Sequence, residues 1–137
     1  MSQQIREVVV ATDLSEASKQ AMDYAKDMAE SCNANLTLLY VYPEGGFADP
    51  GLTEQEELKR LDEAQSKLNT ECEVFGSSCK AVTFKGSPQG LIVDYTSNNN
   101  CDILVIGNHN LQCINKVLTG SVTDYILHEA KCPVLRC

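Results

Sequence analysis

Three short apolar runs constrain this chain more than anything else in it: Glu7–Thr12 (EVVVAT), Leu36–Val41 (LTLLYV) and Ile103–Ile106 (ILVI). Each is too short for a typical helix, and none alternates apolar with polar residues as a half-exposed strand would. A strand that is apolar throughout is buried on both faces, and a sheet buried on both faces is a parallel sheet covered by helices.

The segments between the runs read as those helices. Asp13-Leu14-Ser15 opens the first, with Ser15 as its N-cap and Ser18 at the third helical position. Ala21, Tyr24, Ala25, Met28, Ala29 and Cys32 form its apolar stripe, and Asn33-Ala34-Asn35 stops it. A second helix is expected from about Glu54 to about Val74, after a long loop rich in Gly, Pro and acid. Thr53–Glu56 forms its N-terminus, Leu58, Leu61, Leu68, Cys72 and Phe75 face inward, and the acid-rich stretch Glu54–Glu63 reads as a solvated face. A shorter, more polar strand, Lys80–Phe84, suits a place near a sheet edge. Ser87 can cap a third helix with Pro88 at its first position, and Leu91, Ile92 and Tyr95 face the core. Val122, Tyr125, Ile126 and Ala130 stripe a last helix, and a short strand follows from Cys132 or Pro133 to the end. The order β-α-β-α-β-α-β-α-β predicts a doubly wound, five-stranded parallel sheet with helices on both faces, a Rossmann-like α/β fold. One domain of 137 residues is expected, with no internal repeat or linker.

Composition narrows the partners. The net charge of −8 makes a polymeric nucleic acid an unfavourable ligand. No apolar stretch is long enough to span a membrane, and the N-terminus has no signal-peptide pattern, so a cytoplasmic protein is expected. Seven cysteines occur without a C-x-x-C pair, and the two histidines give no zinc spacing. Most of the thiols read as small apolar fillers, with Cys113 and Cys137 the exposed ones.

The chemistry concentrates in Asp102–Val122. An apolar strand runs into the turn-forming Gly107-Asn108-His109-Asn110, then a mostly polar bridge, then Gly120-Ser121 and a helix. That layout aims several main-chain N–H groups at one point, where a phosphate could sit. In a sheet of this kind ligands bind beyond the strands' carboxyl ends, where strand order reverses. The first and fourth strands would flank that reversal, ending in Asp13 and Gly107.

These residues resemble the universal stress protein family over nearly the whole chain. Nucleotide-binding members carry G-x-x-G, nine residues, then G-[S/T]. Here Gly107-Asn108-His109-Asn110 is followed by Leu111–Thr119 and Gly120-Ser121, with Asn110 in place of the second glycine. Val10–Asp13 with Ser15, Ser18 and Ala21, then Gly86-Ser87-Pro88, then Ala130–Leu135, resemble three further family signatures in order. The resemblance implies an adenine nucleotide, ATP or AMP, with Mg2+. Asp13 would lie near adenine and ribose beside Ala11 and Thr12, and Val41 would contact adenine. Gly107, Asn108, His109 and Asn110 would line the phosphates with Gly120, Ser121 and Val122. A homodimer through the C-terminal strand is implied as well, by an exposed edge and by the family alike.

Asn110 leaves two outcomes open. Asn tolerates left-handed backbone better than most residues, so the turn can survive, and its amide can donate to phosphate. The same side chain can instead fill the space a phosphate needs. One reading is therefore a stress-response regulator or sensor that binds nucleotide; the other is a dimeric interaction module that does not. No Walker lysine motif, nucleophile triad or group of metal carboxylates is present, so no enzyme, catalytic residue or metal site is expected and any ATP hydrolysis is slow. A third reading makes His109 the base of a slow hydrolase, since imidazole titrates near neutral pH.

Overall fold

The computed structural model describes residues 4–43, 51–107 and 120–137. Nine elements alternate as expected: β1 (Glu7–Thr12), α1 (Glu16–Cys32), β2 (Asn35–Pro43), α2 (Glu54–Phe75), β3 (Cys79–Gly86), α3 (Pro88–Asn98), β4 (Ile103–Ile106), α4 (Gly120–Glu129) and β5 (Val134–Arg136). The strands form one parallel sheet in the order β3-β2-β1-β4-β5. The chain moves outward from β1 to β3, then returns to the other side of β1 as β4 and β5. Right-handed crossovers in opposite directions put α1 and α2 on one face and α3 and α4 on the other. The core divides accordingly: Val8, Val10, Leu36, Leu38 and Tyr40 pack with Ala21, Met22, Ala25, Ala29, Ala64 and Leu68 of α1 and α2. Val9, Ala11, Leu39, Val41, Leu104 and Ile106 pack with Ile92 of α3 and Ile126 of α4. Alternate residues of each central strand thus serve opposite layers, which is why these runs carry no polar alternation.

Local chemistry fixes the helix starts. Ser15 caps α1, its hydroxyl accepting from Ser18 N–H at 3.2 Å. Thr53 and Glu56 form a reciprocal capping box on α2. Asn33 ends α1 in the left-handed conformation, φ 57°. Ser87 precedes α3 with Pro88 at its start, but its side chain makes no capping bond, contrary to expectation.

The helix stripes are narrower than the sequence suggests. Tyr24 is 52% exposed, because the buried face of α1 runs through Ala21, Met22, Ala25 and Ala29 and leaves Tyr24 on its flank. Leu58 is 48% exposed, because the residues that α2 buries begin only at Ala64. In α4, Thr123 and Ile126 face inward and Tyr125 is left out. Nor is the acid-rich start of α2 wholly solvated: Glu57 is largely buried and pairs with Lys85 of β3 at 3.3 Å. β3 is an edge strand, as its polarity implies, and is longer than expected. Gln65 ties it to α2, donating to Ala81 O (3.1 Å) and accepting from the Thr83 hydroxyl (2.8 Å). Among the described thiols all are free; Cys72 and Cys101 are buried, and Cys137 is only partly exposed, since it packs against the α1/α2 layer. Cys113 lies outside the described residues.

Candidate functional site

The site is set by register. Ala11 pairs with Ile106 across β1 and β4, and Thr12 pairs with Tyr40 across β1 and β2. One step further along the three strands stand Asp13, Val41 and Gly107. The carboxyl ends of β2, β1 and β4 therefore share one rim, and strand order reverses between β1 and β4. A crossover helix runs antiparallel to its strands, so α4 begins at this same rim. The structure starts α4 at Gly120, placing Gly120, Ser121 and Val122 in its first turn, whereas the sequence places Gly120-Ser121 in a turn before it. The first N–H groups of a helix have no partner within it, so the amides of Gly120 and Ser121 lack an acceptor inside α4.

Individual side chains at the rim have defined tasks. Ala11 and Val41 are buried, at 1% and 2% exposure, and belong to the α3/α4 layer. Thr12 points to the opposite layer. Its hydroxyl lies 2.8 Å from the Ser18 hydroxyl and accepts from Leu14 N–H at 3.0 Å, so it is engaged in holding the β1–α1 turn. Asp13 is half-buried, and its Oδ1 accepts from Ser15 N–H at 3.0 Å. Gly107 is buried directly after β4. Asn108, His109 and Asn110 lie outside the described residues, as does Lys116, which by sequence reads as a solvated lysine ahead of a phosphate contact.

The sequence gives no warning of Leu14. Its φ is +67°, a conformation uncommon for non-glycine residues, and it is held between the Thr12 and Asp13 side-chain acceptors. This kink turns the chain sharply from β1 into α1. Beside it, between α1 and α2, opens a groove of about 370 Å³ lined by Thr12, Ser15, Lys19, Met22, Lys67 and Glu71 among others. It lies on the face opposite Ala11 and Val41 and does not include Gly107. Among the described residues no group of three or more His, Cys, Asp or Glu side chains could hold a metal ion. No helix among them is long and apolar enough to cross a membrane.

Comparison with known proteins agrees with this architecture. The sequence pattern of the universal stress protein family matches residues 4–137. Universal stress protein A homolog 1 of Coxiella burnetii is 30% identical over 137 residues, covering 95% of this chain and 94% of the relative. The structure superposes on universal stress protein UspA from Lactobacillus plantarum with a TM-score of 0.79 and 26% identity, over 98% of this chain and 99% of that one. It superposes on a universal stress protein in complex with cAMP with a TM-score of 0.68 and 27% identity, over 98% and 97% of the two chains. With the five-stranded parallel sheet, its reversal between β1 and β4, and a family match across nearly every residue, the chain belongs to the universal stress protein family.

Proposed function

We propose that this protein binds an adenine nucleotide, ATP or AMP, at the shared rim of β2, β1 and β4, and acts as a stress-response regulator or sensor rather than as an enzyme. The observation that carries the reading is the convergence of Asp13, Val41 and Gly107 on one rim with the first turn of α4. Asp13 supplies a carboxylate for ribose or adenine, and Val41 an apolar wall. Gly107 and the amides opening α4 supply main-chain donors for phosphate, which need no positive side chain in a chain of net charge −8. The related protein in complex with cAMP supports the ligand class. Mg2+ would enter on the phosphate oxygens of ATP, since the described carboxylates offer no cluster for it. A regulator confined to the cytoplasm and paired through the free edge of β5 completes the proposal.

The competing reading, a dimeric interaction module without nucleotide, rests on Asn110 standing where the binding motif has glycine. A mass spectrum of small molecules released from the purified, denatured protein separates the two. An adenine nucleotide near one per chain supports binding. Its absence, together with no thermal stabilisation by added ATP or AMP, favours the interaction module.

A further inference from the structure

The family site leaves the cysteines unused, yet two of them meet far from each other in sequence. Cys101 Sγ and Cys132 Sγ are 3.7 Å apart across 31 residues. The backbone holds them there. Leu104 pairs with Val134, and Leu104 N–H donates to Pro133 O at 2.9 Å, so the segments entering β4 and β5, which carry Cys101 and Cys132, run side by side. The two sulfurs are already in contact, so closing a bond of about 2.05 Å needs only a small further approach. The two thiols also differ in access: Cys101 is 8% exposed, whereas Cys132 is only half-buried.

We propose that Cys101 and Cys132 are a reversible oxidation site, closed to a disulfide by hydroperoxides. The outer Cys132 thiolate attacks a peroxide oxygen; the O–O bond breaks, hydroxide leaves and is protonated to water, and Cys132 becomes the sulfenic acid. The Cys101 thiol, losing its proton, then attacks the Cys132 sulfur and expels the second water. Two thiols and one hydrogen peroxide give one disulfide and two waters. Burial pushes the Cys101 thiol up, which suits it to the resolving step rather than the first attack. The bond staples the start of β4 to the segment entering β5, and the loop it closes contains β4 and α4. It lies at the amino ends of the strands, opposite the nucleotide rim, so it acts on the stability of the β5 edge without touching a ligand.

The test uses the full chain carrying Cys113→Ser, so that trypsin yields fragment 86–116 with Cys101 as its one thiol and fragment 132–136 with Cys132. After treatment with hydrogen peroxide at stoichiometric level, non-reducing mass spectrometry is expected to show the two fragments joined, about 2 Da below their summed mass. The joined protein is expected to melt roughly 5–15 °C higher than the reduced one. Dithiothreitol restores the original value, and the further change Cys132→Ser removes both effects. Fragments that stay separate, with Cys132 over-oxidised or left as a thiol, overturn the proposal. So does a linked protein that melts no higher than the reduced form, because the native backbone would then not accept the bond.

Discussion

Thr12 Oγ1 lies 2.8 Å from Ser18 Oγ, and both side chains are buried, so the last residue of β1 is tied directly to the first turn of α1. The same Thr12 oxygen accepts from Leu14 N–H, holding the one residue of this turn with a left-handed backbone. Thr12→Val keeps the shape and removes both bonds. The expected cost is about 1–2 kcal/mol in urea unfolding, with a weaker affinity for ATP because Asp13 lies inside the loosened turn. Unchanged stability would mean that the turn is held by backbone packing alone.

Asp13 combines a local task with a proposed ligand contact, and the two separate by substitution. Asp13→Asn retains an oxygen acceptor for Ser15 N–H but loses the negative charge. Stability is expected to stay within about 0.5 kcal/mol of the parent, while ATP affinity falls by roughly 3–10-fold, since hydrogen bonds to an ionised acceptor are about twice as strong as neutral ones. Calorimetry and thermal melting on the same samples read the two effects. A loss of stability with no change in affinity would confine Asp13 to the turn.

Gly86 ends β3 with φ +154°, and a Cβ there would stand 2.8 Å from Leu91 Cδ1. Leu91 can give way at its flexible end; the backbone conformation cannot be relieved in that manner. Gly86→Ala is expected to destabilise by about 1–3 kcal/mol in urea unfolding, and unchanged stability would mean that the end of β3 relaxes to an ordinary conformation.

Much of this fold is legible in the sequence because the central strands are apolar on both faces, Val8–Ala11 and Leu104–Ile106 without a polar residue, and a sheet covered on both faces uses such runs. The caps of α1 and α2 are legible for a similar reason: Ser15 and Thr53 must satisfy particular orphan amides. What escaped is set by tertiary geometry. Tyr24, Leu58 and Tyr125 sit at helical spacing from buried neighbours, yet each lies at the flank or end of a contact whose width the sequence does not encode. The left-handed Leu14 depends on acceptors from Thr12 and Asp13 that become visible only once β1 and α1 are in place. At the rim, strand order brings Ala11, Asp13, Val41 and Gly107 near one another, Thr12 turns to the opposite layer, and Asn108, His109 and Asn110 lie outside the described residues.

Burial pushes the Cys101 thiol well above its ordinary value of 9.0, and the neighbouring Cys132 adds to the rise. A thiol whose folded pKa is raised stabilises the protein fully below the unfolded value and loses that contribution as pH climbs toward the folded one. Unfolding free energy is therefore expected to decline from about pH 9 upward, by at most about 1.4 kcal/mol per pH unit from Cys101. Cys101→Ala, compared across pH 8 to about 10.5 by urea unfolding under reducing conditions, should flatten that part of the decline. An identical slope in both proteins would assign the alkaline loss to other groups.

In the proposed function, main-chain amides at the β1–β4 reversal, not cationic side chains, hold an adenine nucleotide. Isothermal titration of ATP into the purified chain, alongside the Lys116→Ala variant, distinguishes the two. Saturable binding of one nucleotide per chain is expected, with affinity changed less than about threefold by the loss of Lys116. Absence of saturable binding up to about 1 mM ATP, or its abolition by Lys116→Ala, would rule out recognition by main-chain amides.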